Sequence, residues 1–315
     1  MALAADALIA RRRLIRRVTI WRAIAILAVI GAIVGGVLSQ VNLSGPHIAR
    51  VAISGAIVSD RPLIELLTRL QKKDTVRAVV VAIDSPGGTS VGGERLYKAL
   101  RTLSAEKPVV SHINTLGASA AYMTALGTDH IVAHRTSLTG SIGVLIQYGQ
   151  VSTLLDRLGI EVGKVDSGPL KAEPNPFTPT EPAAVAALQS VVDDTFEWFL
   201  GLVIERRGMP TEKARRLADG RIYTGQQAME EGLIDAIGGE EVAVKFLVDE
   251  RDIPNGLPVR TYKPRRDNDL PIVAQMTDRV IQKLGQAIGV AVPAAPVAGS
   301  VDGLWSIWHA AHSVN

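Results

Sequence analysis

Between Arg22 and Arg50 the chain carries no formal charge, and Ala23 to Leu38 reads AIAILAVIGAIVGGVL, sixteen residues without a polar side chain. With Val18 to Trp21 before it, this stretch is long enough for one helix through a hydrocarbon core of about 30 Å. The spacing predicts a transmembrane helix over residues 18–40, with Trp21 at the interface and Arg22 reaching back to the headgroups. Five further arginines (Arg11, Arg12, Arg13, Arg16, Arg17) precede it, so residues 1–17 are expected to stay in the cytoplasm. Everything past about residue 42 is then carried across the membrane. A cleaved signal peptide is the rival. The run exceeds the usual apolar core of such peptides, and no A-x-A site follows it.

This cluster also explains the charge. The whole chain of 315 residues has a net charge of +3, yet beyond Arg22 it holds 28 basic and 30 acidic residues. The basic character therefore belongs to the membrane flank, which argues against nucleic acid as a partner. There is no cysteine, which excludes disulfides, cysteine-ligated metals and cysteine nucleophiles. At 47% apolar and 21% charged, the remainder has ample material for a packed core.

From Ile48 onward short β-branched runs alternate with amphipathic stretches, the pattern of an α/β domain with mostly parallel strands. Strands are predicted at 47–54, 76–84, 108–113, 130–134 and 161–167. Helices are predicted at 61–73, 90–105, 118–127, 151–158, 181–207, 211–218, 224–231 and 239–249. Residues 168–182 contain five prolines and read as irregular. The main domain is drawn over residues 41–250 and a C-terminal extension over 251–315. Within the extension, 271–288 has helical spacing and is expected to pack on the domain, with a position on the membrane or between protomers as the alternatives. The last stretch, VAGSVDGLWSIWHAAHSVN, stays open between a mobile tail, a membrane-interface contact and a tail that occupies active sites.

Three segments carry residues suited to chemistry. Asp84-Ser85-Pro86-Gly87-Gly88 follows the strongest buried strand, and glycines at such a turn let backbone N–H groups point outward towards an oxyanion. Gly117-Ala118-Ser119-Ala120-Ala121-Tyr122 sets one serine among very small residues at a helix start, where the Ala120 amide is free for a developing negative charge. An N-capping serine is the plainer reading of that position. Lys171, in SGPLKAEPNPF, can serve as a base if its amine is held neutral, although most lysines are solvated. The histidines (His47, His112, His130, His134, His309, His312) offer no better base by pattern, and no metal motif such as HExxH appears. No cofactor or metal is expected.

In order, DSPGG, GASAAY, LTGSIGV, SGPLKAEPNPF and DGRIYTGQQAMEEGLIDAIGG resemble the signal peptide peptidase A family in its short single-domain form, over roughly residues 48–250. The resemblance implies a Clp protease/crotonase-like domain of repeated ββα spiral units and a serine endopeptidase with a Ser–Lys dyad. By it Ser119 is the nucleophile, Lys171 the general base and Ser141 the serine that orients the lysine. The oxyanion hole is made by the Ala120 amide and that of Gly87, with Gly88 as the alternative. Two departures stand out: Ala120 and Ala121 replace the glycines common after the serine, and the residues after Lys171 differ from the commoner pattern, leaving Lys164 as the nearby substitute. The family's ring or dome assembly implies a homo-oligomer with each dyad shared between neighbours. It also implies a single-pass cytoplasmic (inner) membrane protein with an extracytoplasmic or periplasmic catalytic domain, in contact with the lipid bilayer. Remnant signal peptides and other unfolded apolar polypeptides are the implied substrates. A lysine base implies activity rising with pH. The rivals are acyl-CoA chemistry on the same fold and a catalytically silent membrane scaffold.

Overall fold

The computed structural model describes residues 45–265, the backbone of 305–307, and residues 16, 17, 19–27, 30 and 31. Two units divide at Pro46/His47. The predicted membrane span lies largely outside the described residues, among which no helix is long and apolar enough to cross a membrane. The helix predicted at 271–288 lies wholly outside them.

The second unit is a mixed α/β fold. Its centre is β2 (Val76–Ser85), whose run VRAVVVAID is buried on both faces, as in a sheet covered on both sides. Val79, Val81 and Ile83 enter the larger core beneath α1 (Arg61–Gln71) and α2 (Ser90–Ser104). Ala78 and Val80 face the smaller core, beneath Ala243 and Leu247 of α8 (Glu240–Glu250). The period-two alternation thus serves two cores rather than a core and solvent. Strand β1 (His47–Ser54) pairs parallel with β2, and β9 (Val259–Tyr262), in the segment read as an extension, pairs parallel with the other edge of β1.

On the far side of β2 lies β4 (Val109–Ala118), also parallel. It changes neighbour along its length. Val110–Ile113 pair with β5 (His130–Ala133), whereas Leu116–Ala118 pair with β6 (Leu138–Gly140). Strand β6 then takes β7 (Ile222–Thr224) antiparallel, and β5 takes β8 (Ala236–Ile237). The prediction of 108–113 captured only the first half of β4, because the polar, partly exposed Asn114 and Thr115 look like a strand end in sequence. Between β2 and α2 a short β3 (Gly87–Thr89) runs through the glycine turn.

The helices fall close to their predicted positions, with ordinary caps. Asp60 accepts from the Leu63 amide at 3.1 Å to start α1, and Thr89 accepts from Gly92 at 3.0 Å to start α2. Helix α3 (Ala120–Ala125) is shorter than the predicted 118–127, since β4 runs through Ala118 and the helix opens only after Ser119. Helices α4 (Ser152–Leu158) and α5 (Pro182–Arg207) end on left-handed Gly159 and Gly208. Helices α6 (Thr211–Leu217) and α7 (Gly225–Glu230) follow, the latter closed by a Thr224–Gln227 capping box.

The strand predicted at 161–167 is absent; this segment is exposed and irregular, with Val162 and Val165 in solvent. Its two valines, three residues apart, do not sustain a period of two, and among the described residues no strand lies alongside to complete a ladder. Residues 168–181 are irregular, as their prolines require, and the last proline of the predicted stretch, Pro182, opens α5.

Candidate active site

The pairing of β2 with β4 sets Ser85 opposite Gly117, so the glycine turn and the GASAA turn lie side by side at the carboxyl ends of adjacent parallel strands. Helix α3 packs on β3 there. Ser119 sits between β4 and α3 at φ 57°, ψ −119°, in the left-handed half of the map, and is 2% exposed. Its amide donates to the Gly140 carbonyl at 2.8 Å, and its carbonyl accepts from Met123 at 2.9 Å. Its side chain makes no helix-capping hydrogen bond. The capping role is therefore not realised. A sharp strand-to-helix turn carrying a strained serine is the geometry that exposes a nucleophile.

The small residues are there for close approach. A Cβ on Gly93 of α2 would meet Met123 Sδ at 2.9 Å and the Ala120 Cβ at 3.1 Å, so α2 and α3 come together only because Gly93 has none. Gly140, whose carbonyl holds Ser119, is itself left-handed at φ 82° and followed by Ser141 at φ 47°. Ser141 donates its amide to the Arg221 carbonyl at 2.8 Å and is buried. The structure thus brings Ser119 and Ser141 together through one residue.

Strand β3 is held from one side by Ile57. The Ile57 amide donates to Gly87 O and the Thr89 amide donates to Ile57 O, each at 2.8 Å. Ile57 lies so close that a Cβ on Gly88 would be 1.9 Å from its carbonyl oxygen, which is why residue 88 must be glycine. The Gly87 amide, at φ 101°, donates to Ser85 Oγ at 3.1 Å. Alternation along a strand then turns the amide and carbonyl of Gly88 to the opposite edge. The sequence reading favours Gly87, yet its amide is spent on Ser85, whereas that of Gly88 points to the strand edge away from Ile57. Ile57 carries no signal in the sequence, and Ser85 and Gly140 stand there only as members of their motifs, because their roles depend on contacts between distant segments.

Lys171 keeps its backbone bonds within its own segment. It is exposed, its amide donates to Gly168 at 3.0 Å, and its carbonyl accepts from Lys164 Nζ at 3.2 Å. Lys164, the substitute, is ion-paired to Glu173 and, at 3.1 Å, to Asp166; the Glu173 bond, then that of Asp166, raises its pKa. An ammonium so held is a poor base. His112 lies seven residues before Ser119 on β4, roughly 20 Å away along a strand. It packs edge-on against His134, and burial, then His134, pushes it below the usual imidazole range. His130 stacks on Phe246, and His47 bonds Tyr262 at 2.7 Å. Among the described residues no group of three or more His, Asp or Glu side chains is arranged to hold a metal ion.

Comparison with known proteins agrees with this geometry. Residues 101–253 match the profile of Peptidase family S49. Two proteins each named "Putative protease" are similar: one from Synechocystis sp., 33% identical over 77% of this chain and 88% of its own, and one from Methanocaldococcus jannaschii, 36% identical over 62% and 63%. "Serine protease SPPA, chloroplastic" of Arabidopsis thaliana is 29% identical over 70% of this chain, which spans 32% of that longer protein.

Proposed function

Because the chain belongs to Peptidase family S49 and has the SppA-type, Clp/crotonase-like protease fold, we propose that it is a membrane-anchored serine endopeptidase whose nucleophile is Ser119 and whose general base is Lys171 of a neighbouring copy. The observation that carries this is the Ser119 turn: a buried serine in a strained conformation, without a helix-capping bond, beside a glycine amide turned away from Ile57.

In the proposed reaction the neutral Lys171 amine takes the Ser119 Oγ proton, and Oγ adds to a peptide carbonyl carbon. The tetrahedral oxyanion is held by the amides of Gly88 and Ala120. The lysine ammonium returns its proton to the leaving amine, and water, activated by the same lysine, releases the acyl group. Ser141 orients the lysine. Gly88 is preferred to Gly87 because the latter's amide is engaged by Ser85.

A base from a second copy is favoured by two features: Lys171 is exposed while Ser119 is buried, and the segment around Lys171 carries apolar side chains in solvent, among them Leu154, Leu158, Ile160 and Val165. The repeated ββα spiral plan, the membrane span at 18–40 and an extracytoplasmic catalytic domain belong to the same proposal. So do substrates drawn from remnant signal peptides and other unfolded apolar segments.

Detergent-purified wild type is expected to cleave an unfolded apolar polypeptide increasingly from neutral to alkaline pH, while Ser119→Ala and Lys171→Ala are each inactive. Co-assembling the two inactive variants in equal amounts is expected to restore about a quarter of wild-type activity, since one interface in four then pairs an intact serine with an intact lysine. No recovery from mixed oligomers would place the dyad within one chain; undiminished cleavage by Ser119→Ala would remove the nucleophile.

A further inference from the structure

Helices α2 and α3 run side by side in the same direction, and two glycines fix their register. A Cβ on Gly93 would fall 3.1 Å from the Ala120 Cβ and 2.9 Å from Met123 Sδ. One on Gly127, just past α3, would fall 2.9 Å from the Tyr97 carbonyl oxygen and 3.0 Å from the Leu100 Cβ. Both contacts keep the same spacing in sequence, so the register holds along the pair. Carried one turn back, it sets Ser90, the first residue of α2, at the level of Ser119. Ser90 shares a helix face with Gly93, and that face is turned to α3, whereas Gly92 is turned to Ile57 and Val58.

Ser90 is 4% exposed, and its Oγ is one of three buried side-chain polar atoms among the described residues with no hydrogen-bond partner. The other two, Thr75 Oγ1 and His112 Nε2, stand away from the Ser119 turn, the first just before β2 at the opposite end of the sheet and the second well back along β4. Hydroxyls deeper in helices return to the carbonyl four residues back, as Thr102 does to Lys98 at 2.9 Å and Thr124 to Ala120 at 2.8 Å. Ser90 opens its helix and has no preceding turn to bond.

We propose that Ser90 determines specificity: its hydroxyl bonds the side chain of the substrate residue whose carbonyl Ser119 attacks, and so selects a short hydroxyl-bearing residue, threonine or serine, at that position. The inference deepens the proposed function and rests on it for the identity of the nucleophile. The selected side chain branches from the atom next to the attacked carbon, so it lies at the level of Ser119, where the register of α2 and α3 places Ser90. One turn further on, the approach of Gly93 to Ala120 closes the space, which leaves room for a short side chain. A hydroxyl is donor and acceptor at once, so threonine pairs with Ser90, whereas valine, of nearly the same shape, leaves it unpaired and dry. A site built to hydrogen-bond a substrate hydroxyl discriminates against the analogue that lacks it.

The test uses two short unfolded apolar peptides that differ only in a central threonine or valine, given to the full-length protein in detergent, with the cut read by mass spectrometry. Wild type is expected to cleave after the threonine with kcat/KM about tenfold above that after the valine. Ser90→Ala is expected to abolish or reverse that preference and to raise the thermal midpoint, since it removes a buried hydroxyl that lacks a partner. Fluorescently labelled forms of both peptides are also titrated onto Ser119→Ala, where the threonine peptide is expected to bind more tightly, and onto Ser119→Ala/Ser90→Ala, where the two are expected to bind alike. Cleavage with a preference that Ser90→Ala leaves unchanged overturns the role of Ser90 and leaves the protease reading standing. A binding preference that depends on Ser90, with no cleavage by wild type, leaves Ser90 standing as a recognition residue and overturns the protease reading instead. Binding of neither peptide, or a thermal midpoint lowered by Ser90→Ala, overturns the role of Ser90.

Discussion

Ser119 holds a backbone conformation that costs a residue with a side chain about 1–3 kcal/mol. The surrounding structure fixes it through the Gly140 carbonyl and the Met123 amide, each bonded to its main chain. Glycine at this position releases the strain but raises the entropy of the unfolded chain, which takes back about 0.4–1 kcal/mol. Strain is the larger of the two. Ser119→Gly is therefore expected to be more stable than Ser119→Ala by roughly 1 kcal/mol, with both inactive; equal thermal midpoints would mean that the turn stores nothing. The serine was legible in sequence because small residues around one hydroxyl are an unusual neighbourhood. Its strain was not, because it arises from Gly140, twenty-one residues later in the chain. The choice between Gly87 and Gly88 was equally closed to the sequence, since it turns on the Ser85 hydroxyl and on Ile57.

At the scale of elements, helices and central strands followed from periodicity, and the differences have one cause: a strand needs a partner that local sequence does not name. EVGKVDS holds two β-branched residues and forms no strand, whereas the three-residue β3, β6 and β7 have little pattern and are built by their neighbours. Strand β4 adds a pH effect, for it buries His112 between the sheet and α8 at 5% exposure. Around it stand His134, Glu240, Glu241 and Arg50, the glutamates favouring its charge and the others opposing it; desolvation is the largest influence. The folded pKa is depressed below its ordinary value of 6.5, so on acidification the unfolded chain takes up a proton that the folded chain refuses. Stability is retained above about pH 6.5 and lost as pH falls from there towards the depressed value. His112→Asn is expected to lose less thermal stability than wild type between about pH 7.5 and 5.5. An unchanged acid slope in differential scanning would remove His112 as its source.

For the whole molecule the decisive feature is the apolar surface of residues 145–191, where Leu158, Val165 and Phe177 stand in solvent on the stretch that carries Lys171. In the proposed assembly a second copy covers these side chains and brings its exposed lysine to the buried Ser119. The double variant Leu158→Glu/Val165→Glu is expected to retain its circular dichroism spectrum, to scatter light as a single protomer and to lose peptidase activity. An intact oligomer with full activity would sink this interface. Under the proposed function the edge of β3 beside Ser119 carries a general selectivity, because its two glycines offer a polypeptide main chain and almost no side chain. An edge of that kind asks of a polypeptide only whether its own amides and carbonyls are already spoken for. Native proteins, whose strands are paired internally, fail the question, and a chain that has lost its fold passes it, so the same three residues that build the site would also sort intact molecules from waste.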